Sequence, residues 1–392
     1  MLNSPPAIPY WRLSGFYLAY LALLGGFIPY WNLYLARELH FSPALIGQLM
    51  AVTVIPRLLA PCFWGHLADR SGRGLAVVRL GVFMLALLWL ALAFTTDYRW
   101  LALWLLACTF FQNAVMAPFE AVTLAHLAER RTQYGRIRLW GSLGFMAMVA
   151  GLGVVFDHVS LQWLPLVLCG AALLAWLVSL SVPDAPCPRP VRQRGSVWAV
   201  LRRREVAAFL GGGLLLQAAH APYYAFYSLF LESHGYSHQS IGALWALGMA
   251  AEVLAFTRLH RWLGRWGARP VLLGAMLLAA GRWWGIGLGV DHPGVLVTMQ
   301  LLHAASFAAV HAASVQLVTL HFGEAHRGQG QAVYGMAWGV GASLGAWAAG
   351  CAWNSLGAPA VFGAAAGLSL LGWFWVVRVK PAAEVGMEAE AV

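Results

Sequence analysis

Eight ionisable side chains stand inside long apolar runs of this sequence: Arg57, Glu120, Arg138, His220, Glu252, Arg282, His303 and His311. An ionised group at mid-bilayer costs about 2.5–3.5 kcal/mol on insertion scales, so each is a candidate for function, with structural pairing as the alternative. Glu120 and Arg138 lie nine residues to either side of a turn centred near residue 129, which predicts equal depth and pairing range. A carboxylate and guanidinium facing a cavity can hold hydroxyls or a second carboxylate bidentately. Asn113 precedes Glu120 by seven residues and shares its helical face.

Gln217, His220 and Tyr224 follow i, i+3, i+7 and form one polar stripe. Gln300 and His311 share a face of a later helix, with His303 beside it. Histidines on an apolar face are either satisfied core residues or a cavity lining, and four polar side chains on corresponding helices favour the lining. His303 and His311 are eight residues apart, about 80° around a helix, a poor arrangement for one metal ion. No metal or other cofactor is expected. Tyr20, Phe27, Tyr30 and Tyr34 recur at helical spacing near Asn32, as packing or as a platform for an aromatic solute.

The elements that must position these groups are helices. Of 392 residues, 60% are hydrophobic and 10% charged, against about 25% charged in soluble domains. Some twelve runs are each long enough to cross a ~30 Å core. They cover 14–36, 44–66, 75–96, 100–124, 136–156, 160–181, 206–232, 240–263, 270–290, 294–319, 330–353 and 358–378. The runs are continuous, not alternating, which excludes a closed β-barrel. The fold class is therefore an all-α polytopic membrane protein.

The net charge of +10 does not signal nucleic acid. Of 25 Lys and Arg, 20 sit at one set of loop ends, and Arg37 and Arg99 alone lie at the other. That bias places both termini in the cytoplasm and makes the lipid bilayer the macroscopic partner. Five scattered cysteines show neither metal nor disulfide spacing. The first apolar run is too long for a cleavable signal and is expected to remain as a span.

Four prolines and six arginines over 183–205 mark a cytoplasmic linker between six-helix bundles at 1–182 and 206–380, with a tail at 381–392. The bundles repeat at an offset of 195: Ile46-Gly47 matches Ile241-Gly242, Arg70 matches Arg265, Gly72 matches Gly267, and Gly135 matches Gly330. Internal repeats build many transporters, with the solute bound near the midplane. The same register sets Arg57 opposite Glu252 as buried ions of opposite sign. Small-residue rows (Gly141, Gly144, Gly151; Gly335, Gly339, Gly345) suit sliding or tight packing. No nucleophile–base pair or phosphate loop argues for an enzyme.

Gly65-His-Leu-Ala-Asp-Arg-Ser-Gly-Arg73 resembles the loop 2–3 signature of the major facilitator superfamily. The resemblance implies a conformational latch at Asp69 with Gly65, Arg70, Gly72 and Arg73, and a monomer by superfamily default. Tyr134-Gly-Arg-Ile-Arg-Leu-Trp-Gly-Ser142, Ala219-His-Ala-Pro-Tyr-Tyr224, Ala251-Glu-Val253, Arg282-Trp-Trp-Gly285 and Gln300-Leu-Leu-His303 look like the phenylpropionate permease family. That family is taken to import 3-phenylpropionate-like aromatic acids with protons across the bacterial inner membrane. A remoter similarity to lactose permease implies that Glu120 and Arg138 touch the solute and that Phe145 stands where an aromatic ring stacks on it. It also implies proton coupling through Glu252, Arg282 and His303. Ser306 replaces the permease's proton-carrying glutamate, so Glu252 or Glu120 inherits that role. The expectation is a twelve-helix, alternating-access proton symporter for a small organic solute, with a 3-phenylpropionate-like aromatic acid as the leading candidate. Asn32, Asn113, His220 and Tyr224 join the solute site, and Arg57 joins the coupling group. The rivals are an oligosaccharide or nucleoside symporter, and a drug–proton antiporter, which the missing Gly-Pro motif of the fifth helix disfavours.

Overall fold

The computed structural model describes residues 8–94, 96–128, 130–185 and 198–378. Most of the expected linker, and all of the expected tail, lie outside them. Among the described residues there are long helices and no strand. They are α1 (Tyr10–Arg37), α2 (Pro43–Ser71), α3 (Gly74–Leu92), α4 (Tyr98–Leu127), α5 (Tyr134–Phe156) and α6 (Leu161–Ser181). After a single turn at Trp198–Leu201 come α7 (Arg204–Ser233), α8 (His238–Trp266), α9 (Ala268–Leu288), α10 (Pro293–Gly323), α11 (324–356) and α12 (Ala358–Arg378). Ten of them are long and apolar enough to cross a membrane; α7 and α11, rich in polar residues and glycine, are not among the ten.

Local chemistry sets the ends. The Asp97 carboxylate accepts from Arg99 and Trp100 N–H at 2.9 and 3.2 Å and starts α4. Gly72 and Gly267, equivalent in the repeat, take φ of +65° and +79° at the α2–α3 and α8–α9 turns; that left-handed backbone favours glycine. Arg79 of α3 donates to the Ser179 and Val182 carbonyls at 3.3 and 2.9 Å, satisfying the last turn of α6. Arg269 of α9 does the same for α12, donating to the Val376 and Val377 carbonyls at 3.1 and 3.2 Å.

The chain forms two compact units. One contains the described residues of Met1–His40, Ile55–Val191 and Ser237–Ala246; the other contains those of Phe41–Val54, Arg192–Tyr236 and Leu247–Val392. The first turns of α2 thus pack in the second unit, and the first turns of α8 in the first. The matched glycines make both placements possible. A Cβ at Gly47 would stand 2.7 Å from the Ala346 carbonyl oxygen, and one at Gly242 would stand 2.5 Å from that of Val149. Asp157, just beyond α5, accepts from His238 and Gln239 N–H at 2.7 and 3.2 Å and so caps α8.

Within each unit a glycine seam brings two helices together. In the first, Gly144 of α5 lies on the Leu18 carbonyl of α1, and Gly25 of α1 lies on the Phe145 carbonyl. In the second, Gly341 and Gly345 of α11 lie on the Leu214 and Ala218 carbonyls of α7. Gly151 and Gly335 face open space and take no part, so only some members of the expected rows are contacts.

Candidate functional site

Each unit holds one cluster of polar groups. In the first, Glu120 and Arg138 are half-buried and share the same two neighbours. The Tyr134 hydroxyl donates to Glu120 Oε1 at 2.6 Å. The Arg138 guanidinium lies over the Tyr17 ring, 5.5 Å from its centre. Tyr17 in turn donates to Thr123 Oγ1 at 3.4 Å and sets its ring edge-on to Phe119 at 5.1 Å. The expected direct pairing is therefore corrected: among the described residues Glu120 and Arg138 make no ion pair, and each instead meets a tyrosine. Gly141 leaves room for Arg138, since a Cβ there would stand 2.8 Å from Nη1.

The remaining candidates of this unit divide. Asn113 sits where α4 is interrupted and donates to the Thr109 carbonyl at 2.8 Å, so its amide repairs a break and the assumption of a continuous helical face fails. Asn32 is buried, and its Oδ1 has no partner among the described residues. Phe145 is buried beside the α1 seam. The α1 aromatics serve packing: Tyr20 and Tyr30 donate to the carbonyls of Gln112 and Val149 at 3.3 and 2.8 Å. Arg57, expected to be buried, shares the helical face of Ala60, Trp64 and Ala68 but, unlike them, is exposed. Asp69, Arg70 and Arg73 are exposed around the Gly72 turn, and Gly65 faces open space.

The second cluster is denser. Glu252 of α8 and His303 of α10 pair at 3.5 Å, Oε2 to Nε2. Arg282 of α9 is wholly buried; it donates from Nε to the Met299 carbonyl at 2.9 Å, from Nη1 to Ser306 Oγ at 3.1 Å and from Nη2 to Gln300 Oε1 at 3.4 Å. Its guanidinium lies 4.2 Å from the centre of the Tyr223 ring and 4.6 Å from that of Trp283. The Tyr223 hydroxyl donates to the same Gln300 oxygen at 3.0 Å. His220 is nearly fully buried, with Nδ1 2.8 Å from the Leu216 carbonyl oxygen and Nε2 3.1 Å from that of Ser306. It joins α7 to α10, and the half-buried Tyr224 stacks beside it at 6.3 Å.

The backbone of α10 explains how these groups meet. Residues Ala304–Ala309 form a π-turn, a feature frequent at functional sites. Because a π-turn closes i→i+5 instead of i→i+4, each residue in it advances less around the axis, and His311 comes back toward the face of His303, not to 80° away from it. The rings of His303, Phe307 and His311 accordingly form a column, with centres 5.5 and 6.4 Å apart and planes within 11° and 6°. Sequence reasoning missed Tyr17, Thr123, Tyr134 as a hydrogen-bond donor, Tyr223 and the Ser306 hydroxyl as an acceptor. For Tyr223 a signal existed, since it stands i+3 from His220.

Ion clusters held inside a bundle of membrane-length apolar helices define a multi-pass membrane transporter. The profile of the MFS_1-like family matches residues 10–364, and the chain belongs to that family of the major facilitator superfamily. It is similar to the probable 3-phenylpropionic acid transporter of Escherichia coli (strain K12), 27% identical over 80% of this chain and 83% of that one. It is also similar to the maltose permease of Geobacillus stearothermophilus, 27% identical over 68% of each chain. A crystal structure of a mutant nucleoside transporter NupG superposes with a TM-score of 0.87 at 19% identity, covering 95% of this chain and 100% of that one. The chain is thus an all-α secondary transporter of a small molecule and not an enzyme.

Proposed function

We propose that this chain is a proton-coupled symporter that imports a small aromatic acid of the 3-phenylpropionate kind across the bacterial inner membrane by alternating access, with both termini in the cytoplasm. The Glu252–His303 pair inside the second unit carries the coupling half of the reading. A carboxylate and an imidazole in contact can pass a proton between them, and uptake of a proton from one side of the membrane or its release to the other changes the net charge of the cluster by one. The resemblance to the probable 3-phenylpropionic acid transporter, which extends over most of the chain, supports the cargo half.

In this reading Glu252 takes the proton on one side of the membrane and releases it on the other. Glu120 and Arg138, each held by a tyrosine, contact the solute from the first unit. Asp69 with the neighbouring arginines acts at the cytoplasmic loop as a latch between conformations. Maltose and nucleosides are the competing cargoes, named for two curated relatives.

The test is uptake of labelled 3-phenylpropionate into right-side-out proteoliposomes under an imposed inward proton gradient. Accumulation that collapses with a protonophore is the expected result. Uptake of maltose or a nucleoside in its place discards the aromatic-acid cargo, and accumulation indifferent to the protonophore discards proton coupling.

A further inference from the structure

We propose that Arg282 and Gln300 form a carboxylate-binding subsite in the second unit, the anchor for the acid group of the transported solute; this rests on the aromatic-acid reading above. A guanidinium carries five N–H donors. Three of those on Arg282 are used, on Met299 O, Ser306 Oγ and Gln300 Oε1. The Tyr223 hydroxyl is a fourth partner, which leaves one N–H with no acceptor among the described residues, although the group is 0% exposed. No carboxylate forms an ion pair with it there either.

Gln300 has the same surplus. Its Oε1 receives both Tyr223 and Arg282, and because a guanidinium only donates, the amide cannot be turned the other way. Nε2 is left buried with two N–H groups and no acceptor. Trp283 Nε1, on the residue next to Arg282, is also buried without a partner. The surroundings thus hold a full positive charge and several unused donors, and what they lack is an acceptor of negative charge. Buried charges persist when paired, and a planar anion with two oxygens matches the guanidinium fork.

The acids already present do not fill that need. Glu252 faces His303, and Glu120 belongs to the other unit, where it shares its surroundings with Arg138. Arg138 is half-buried and has that carboxylate nearby; Arg282 has no solvent exposure and no carboxylate partner among the described residues. The rings of Tyr223, Trp283 and His220 surround the subsite, so a bound acid meets aromatic faces next to its carboxylate. The subsite is closed in this conformation. Entry requires a rearrangement, and the π-turn that carries Ser306 is the irregular stretch beside it.

The test titrates the full chain in nanodiscs calorimetrically with 3-phenylpropionate and with the neutral 3-phenylpropanol. The wild type should prefer the acid, and R282K should weaken the acid about tenfold or more while leaving the alcohol unchanged. R282K can fail to fold, so Q300E is the second variant: it puts a carboxylate where the Gln300 oxygen already meets Arg282. It should raise the melting temperature and abolish acid binding together, which a merely structural glutamine would not produce. Wild-type acid affinity in folded R282K or Q300E overturns the assignment. So does equal wild-type binding of acid and alcohol, or stabilisation by chloride or phosphate with no preference for the organic acid. If R138K abolishes acid binding while R282K is silent, the anchor is refuted and the cargo reading stands. A wild type that binds no acid but takes up maltose or a nucleoside refutes both.

Discussion

Gly144→Ala and Gly151→Ala add the same methyl group to the same helix and should move stability in opposite directions. At residue 144 the new Cβ would fall on the Leu18 carbonyl oxygen, 2.8 Å from the Leu18 carbonyl carbon and 3.0 Å from its Cα, where ordinary contact begins at 3.4 Å. The α1–α5 seam must therefore open by roughly one ångström, which forfeits about half of the dispersion attraction between the atoms it separates. Overpacking of this kind costs about 1–3 kcal/mol, against a gain of about 1 kcal/mol in helix propensity when alanine replaces glycine. The backbone contact at residue 144 puts the cost at the upper end of that range, so the net expectation is a loss of up to about 2 kcal/mol. At residue 151 nothing lies within 4 Å of the new Cβ, so only the gain remains. Thermal melting of the two purified variants beside the wild type measures the difference, and initial uptake rates should fall for Gly144→Ala alone. If Gly144→Ala melts at or above the wild type, or Gly151→Ala drops as far, the close-packed seam is not what holds these helices.

Three further outcomes are expected. Glu252→Gln should abolish proton-driven accumulation and leave solute exchange in place, measured as counterflow in proteoliposomes; unchanged accumulation removes Glu252 from coupling. Arg79→Ala deprives the end of α6 of two hydrogen bonds and should cost about 1 kcal/mol in melting experiments, at the low end for a half-exposed arginine. Asp157→Ala uncaps α8 and should cost about 1 kcal/mol, whereas Asp157→Asn, which keeps an acceptor, should cost less.

The helices were legible because each apolar run must be long enough to cross the hydrocarbon. Their ends were less so. Run 240–263 belongs to a helix spanning His238–Trp266, and run 330–353 to one spanning 324–356. Hydropathy registers where the hydrocarbon stops, while the backbone hydrogen-bond ladder continues past it through polar residues such as Arg265 and Gln331. The repeat at 195 residues proved to have geometric content. Gly72 and Gly267 share a positive φ, and Gly47 and Gly242 each admit another helix's backbone. A side chain larger than hydrogen at these positions would be strained or obstructed, which is why the matches fall on glycines.

Side-chain partners were the illegible part, for two physical reasons. Equal distance from a turn fixes the depth of Glu120 and Arg138 but says nothing of what a distant helix inserts beside them. Tyr17 comes from α1, more than a hundred residues before either in sequence. The second reason is register. A helical wheel assumes 3.6 residues per turn throughout, and the π-turn at Ala304–Ala309 changes the angle of everything beyond it. That one irregularity lines up His303, Phe307 and His311, and it lies in the stretch that presents Ser306 to both Arg282 and His220. Ser306 serves this network twice: its hydroxyl accepts from Arg282 and its carbonyl faces His220. The consequence is a buried arginine with hydrogen bonds but no counter-ion, the condition under which an acidic solute can supply the missing charge.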